Sequence, residues 1–151
     1  MQGRWRAGDY SALFLRLALA ASFLSAVADR FGLWGRPGEP HVGWGDFIHF
    51  TAYTERLTFM LPTYWGPALA WTATIAETVL ALALLIGIFT RVAALLSGAL
   101  LLLFAIAMTF ALGVKAPLDY SVFSASAGAF LLANCTRYKL SLDEMRCGRD
   151  K

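Results

Sequence analysis

A single carboxylate, Glu77, lies in the middle of an apolar run, residues 65–89, that reads WGPALAWTATIAETVLALALLIGIF and carries no other charge. In hydrocarbon a charged side chain costs from about 2.5 to well over 10 kcal/mol, so such a residue is neutralised, paired or turned toward a polar cavity. The other ionisable group deep inside an apolar run is Arg16, within residues 10–28. Two chemistries fit an acid and a base inside one bundle. Glu77 is a candidate proton relay in a pocket that holds a polar head group, such as a quinone carbonyl. Alternatively, Arg16 and Glu77 form a structural ion pair that offsets the desolvation of both and fixes helix register. With each run laid flush at its cytoplasmic end, Arg16 lies about 9 Å in and Glu77 about 16 Å in, a gap an arginine side chain largely bridges. Thr74 and Thr78 flank Glu77 loosely and join it as candidate ligand contacts.

Further candidates lie at the ends of the apolar runs. Asp29 and Arg30 follow the first run, and Tyr120 opens the last. Each is read as a contact for a head group or ligand, against the alternative of interfacial polarity beside water. His41 and His49 are the two histidines, and Asp46 precedes His49 by about one turn. A metal site needs three or four ligands, so none is expected here. A membrane haem would want a histidine deep in a span. No P-loop, nucleotide-binding glycine motif or nucleophile elbow is present. No covalent or metal cofactor is therefore expected, a quinone is the candidate ligand, and an electron donor would have to come from a redox partner protein. Cys135 and Cys147 form no CxxC pair and are read as ordinary cytoplasmic thiols.

The elements that position these residues follow from composition. Charged residues make up 15% of the chain and mean hydropathy is +0.59, against roughly 25% charged in soluble domains. This is a membrane composition, and four apolar runs stand out at residues 10–28, 65–89, 92–112 and 118–135. About 20 residues cross the hydrocarbon as a helix, and backbone polar groups in lipid demand helices. The expected fold is all-α: an integral membrane four-helix bundle forming one domain over residues 1–151. Small residues recur every four positions (Ala18, Ser22, Ala26; Ala70, Thr74, Thr78; Ala125, Ala129, Ala133). They let helices approach closely in lipid and permit a homodimer.

A signal peptide is the rival reading of the first run, with Ala26-Val27-Ala28 as its cleavage site; Arg16 and the span-like length argue against it. Arg4, Arg6, Arg91, Arg137, Lys139, Arg146, Arg149 and Lys151 fall on one side, outnumbering Arg30, Arg36, Arg56 and Lys115 on the other. The positive-inside rule places both termini in the cytoplasm of a bacterial-type inner membrane, with residues 136–151 as a cytoplasmic tail. Nucleic-acid binding is not expected, because no recognition motif accompanies the basic charge.

Residues 29–64 form a long outer loop. Its first half holds Gly32, Gly35, Gly38, Gly43 and Gly45 with Pro37 and Pro40, which exclude a regular helix. Its second half, residues 46–61, repeats apolar residues at helical spacing (Phe47, Phe50, Leu57), predicting an amphipathic helix at the membrane surface or over the bundle.

The order of these features resembles the DoxX family of small four-helix membrane proteins. The matching pieces are Arg16-Leu17, Asp29-Arg30-Phe31-Gly32, Glu77 with the stretch Leu80 to Gly98, and Leu118-Asp119-Tyr120-Ser121-Val122-Phe123. Many members carry a lysine where this chain has Asp29-Arg30. The resemblance implies a membrane subunit associated with redox chemistry, in some members coupled to quinone, with Arg16, Glu77 and Arg30 as functional positions. The leading expectation is a quinone-interacting, oxidoreductase-associated subunit in contact with membrane lipids. The alternatives are a non-enzymatic scaffold or assembly protein, or a small proton-coupled transporter.

Overall fold

Three of the apolar runs become helices long and apolar enough to cross a bilayer: α1 (Ala7–Arg30), α3 (Gly66–Ile86, entered through a 3-10 turn at Thr63–Trp65) and α4 (Thr90–Leu112). The structure, a computed structural model, describes residues 5–147, and among the described residues there is no strand. The chain is thus an all-helical, multi-pass membrane protein. Arg4, Arg149 and Lys151, and the side chains of Arg146 and Cys147, lie outside the described residues. Between the long helices runs the loop with α2 (Phe47–Leu57), and after α4 come α5 (Lys115–Asp119), α6 (Val122–Ala133) and α7 (Leu142–Cys147).

The bundle turns small side chains inward and large ones outward. Ala20, Ala81, Ala94 and Ala129 are buried along the helix contacts, while Ile75, Val79, Leu96, Leu103 and Phe110 are exposed. In water this would be inside out. In lipid it is the expected arrangement, since outward leucine costs nothing and close backbones supply the packing. α1 pairs with α3, and α6 lies along α4. The α4–α6 contact is close at Gly98, whose carbonyl accepts a 2.8 Å hydrogen bond from Ser126 Oγ. A Cβ at Gly98 would stand 2.8 Å from ring carbons of Phe130. Gly98→Ala is therefore expected to cost about 1–3 kcal/mol by overpacking, read as a lowered unfolding midpoint in detergent. Phe130→Leu in the same protein should restore it; a Gly98→Ala protein as stable as wild type would show that this contact is loose.

The run expected as a fourth span is broken. Ser121 adopts φ +54° between α5 and α6, leaving α6 with 12 residues, or about 18 Å of helix. That is short of the roughly 30 Å of hydrocarbon.

The two ends of the bundle are built differently. At the loop end, α2 lies over α3, with the Phe47 and Trp71 rings 4.4 Å apart and Phe31 beside both. At the tail end, residues expected to be a cytoplasmic tail fold back on the bundle. Arg16 donates to the carbonyls of Lys139 (3.3 Å) and Leu140 (2.7 Å). Asp143 accepts from the backbone N–H of Phe89 (2.9 Å) and Thr90 (2.7 Å) and from Thr90 Oγ1 (2.7 Å). α4 has no side-chain cap from its own N-cap residue, Phe89, so a carboxylate some fifty residues later satisfies its first N–H groups. Lys139 pairs with Glu144 beside this contact. Gly87 makes the approach feasible. It ends α3 in the left-handed conformation (φ +74°), and a Cβ there would meet Arg16 Nη1 at 2.9 Å.

This placement corrects the expected Arg16–Glu77 pair. The two helices are staggered, not flush: Arg16 sits at the level of Gly87, and the start of α1 runs on past the end of α3. Glu77 is ten residues from Gly87, about 15 Å along the axis, beyond the reach of Arg16. Apolar length alone gives no sign of such a stagger.

Candidate functional site

The partner of Glu77 is Arg30, the last residue of α1. α1 stops there because Gly32, at φ +72°, turns the chain, and the N–H groups of Phe31 and Leu33 return to Ala28 O while that of Gly32 returns to Asp29 O. A side chain at position 32 is excluded twice over, since its Cβ would stand 2.9 Å from Gly45 O. The turn leaves the Arg30 side chain lying along α3. Its Nη2 donates to both carboxylate oxygens of Glu77, at 2.7 and 2.8 Å, and its Nη1 donates to Thr74 Oγ1 at 2.8 Å. Thr74 passes its own proton to Ala70 O. The guanidinium carbon is 3.8 Å from the centroid of the Phe50 ring and 5.4 Å from that of Trp44, a cation–π contact in a desolvated setting.

The cluster is sealed. Arg30 is 2% exposed and Glu77 1%. One guanidinium nitrogen shared between both carboxylate oxygens makes a charge-assisted contact, and the desolvation of the two charges is offset by it together with the threonine and the ring. Chemically this is a latch. It ties the end of α1 to the middle of α3, and through Phe50 and Trp44 it ties α2 and the glycine-rich loop over both.

The remaining candidates fall in several places. Asp29 Oδ2 accepts from the N–H groups of Gly43 (3.0 Å) and Trp44 (2.8 Å), so it anchors the loop. Thr78 donates to Thr74 O and makes no hydrogen bond to Glu77. Arg16 is in the tail-end contact described above. Tyr120 is three-quarters exposed at the turn before α6. It lies near Tyr53 of α2, whose phenol is pushed above its ordinary pKa by burial, with Tyr120 adding to the shift and Arg56 opposing it. Asp46 Oδ1 accepts from the His49 backbone N–H and meets its ring Nδ1, both at 2.8 Å. That geometry caps α2 and holds Asp46 below the usual carboxylate value. Among the described residues no three His, Cys, Asp or Glu side chains converge as metal ligands.

Two participants escaped the sequence reading. Phe50 was legible as part of an apolar stripe, but nothing local marks it as the ring under an arginine. Asp143 carried a signal that went unused: Ser141 and Glu144 form an S-x-x-E capping box, and Ser141 Oγ does accept the Glu144 N–H at 3.1 Å. That pattern announces a helix start within residues 136–151.

A family model described as methylamine utilisation protein MauE matches residues 8–119, most of the chain. No curated protein and no solved structure matches. The match overturns the expected DoxX membership. The features that carried that resemblance are, in this structure, general packing hardware: Gly87 is a helix cap, the following hairpin receives Asp143, and Arg30 latches Glu77.

Proposed function

From the chain's membership of the MauE family we propose that it is a membrane accessory subunit of a redox-linked methylamine-utilisation system, working through a partner protein. The family description supplies the system, and the latch supports the role. That single observation carries the reading: Arg30 joins Glu77, Thr74 and the Phe50 ring and holds a folded cap on the bundle, an arrangement suited to presenting a fixed surface. Topologically, Arg6, Arg91, Arg137 and Lys139 all belong to the tail end, which supports a cytoplasmic tail end with the cap outside a bacterial-type inner membrane. α5 and α6 together would complete a fourth crossing of a single membrane domain.

The test is genetic and chemical. Deleting the gene in its host should abolish growth on methylamine while leaving growth on ammonium intact, and wild-type chain supplied in trans should restore it. Unimpaired growth of the deletion strain on methylamine would sink the proposal. A quinone is the rival occupant of the bundle. Mass spectrometry of protein purified from native membrane would favour that rival if a quinone is retained by wild type and lost from folded Glu77→Gln.

A further inference from the structure

A groove of about 700 Å³ opens on the side of α1 at the loop end, lined by Ala21, Ser22, Ser25, Ala26, Asp29, Trp34, His41 and Trp44. Small residues, two indoles and an imidazole line it beside the carboxylate. Asp29 is 7% exposed. Its Oδ2 is taken by two backbone N–H groups, while Oδ1 is buried and finds no hydrogen-bond partner among the described residues. The neighbouring cation does not serve it: the Nη atoms of Arg30 are directed to Glu77 and Thr74, and its Nε is buried and makes no hydrogen bond among the described residues. A buried carboxylate oxygen without a donor is costly unless something completes it.

We propose that this groove binds an organic ammonium group, with the Asp29 carboxylate as its counter-charge and Trp34 and Trp44 as its aromatic walls. A hard metal cation would want six or more oxygens, and the groove offers few. An ammonium bearing methyl or methylene groups is attracted to carboxylate and indole together, and Ala21 and Ala26 accommodate its apolar part. The Trp34 indole is held in place by a 3.1 Å hydrogen bond to Ser25 O, so this wall is fixed before a ligand arrives. The ammonium has two sources, a free alkylammonium or the head group of an aminophospholipid, since the groove lies on a face of α1 open to the surroundings. The inference stands on the groove's chemistry and not on the family reading; growth phenotypes test that reading and direct binding tests this one.

The experiment is calorimetric titration of the purified full chain in detergent with methylammonium chloride against sodium chloride at equal ionic strength. It is paired with native mass spectrometry from nanodiscs of phosphatidylethanolamine or phosphatidylglycerol. Asp29→Asn keeps an oxygen for the Gly43 and Trp44 N–H groups and removes the charge. Saturable methylammonium binding, weakened about tenfold or more in Asp29→Asn and several-fold in Trp34→Leu, supports a free amine. Retention of phosphatidylethanolamine by wild type, lost in the same variants, supports the head group. If Asp29→Asn fails to fold, Trp34→Leu carries the comparison. Wild type that binds neither probe, that prefers phosphatidylglycerol, or that binds as well after either substitution overturns the proposal.

Discussion

Glu77→Ala should lower the unfolding free energy by about 3–5 kcal/mol, the cost of leaving a buried charge without its partner. Arg30 would then lie 2% exposed, with Thr74 and a ring for company and no carboxylate beneath it. Arg30→Ala should cost a similar amount for the mirror reason. The double variant Arg30→Met with Glu77→Met should recover much of the loss, because apolar residues of similar volume often replace a buried pair at little cost. Denaturant or thermal unfolding in detergent, run as a double-mutant cycle, gives the coupling directly. Losses that simply add would show that the two residues act independently and that the latch does not hold the cap.

The second large effect is expected at the opposite end. Asp143→Ala removes three acceptor contacts from the start of α4. The loss should reach about 2 kcal/mol, the upper end for a helix cap, or about thirty-fold in the local opening equilibrium. Hydrogen exchange should report it as faster exchange at the Phe89 and Thr90 amides. Arg16→Ala should speed exchange in residues 138–147 as well, since it strands the Lys139 and Leu140 carbonyls. Unchanged protection at Thr90 in Asp143→Ala would mean that the segment after α6 is not docked in solution.

These two contacts also mark what the residues alone disclose. Runs of leucine and alanine announce helices that cross a membrane, because lipid leaves the backbone no other choice. A lone glutamate in such a run announces a partner, and Arg30 stood among the candidates. The choice between Arg16 and Arg30 depended on how far α1 and α3 slide past one another, and hydrophobic length is blind to sliding. What fixes the offset is the Arg30–Glu77 contact at one end and a returning segment at the other, both non-local. Residues 137–147 read as a solvated tail because their charge suits water. They are held instead by contacts to Arg16, Gly87 and Thr90, more than forty residues away in the chain.

The brevity of α6 has a mechanical meaning. A wall twelve residues tall between neighbours of 23 and 24 residues matches them in height only as far as α5 carries it on, and any shortfall is a notch in the lipid-facing outline. Acyl chains bordering the notch must shorten or tilt to cover it, and the elastic cost of that deformation grows with bilayer thickness. Thin membranes relieve the strain and thick ones load it, so acyl-chain length becomes a variable to which this chain responds.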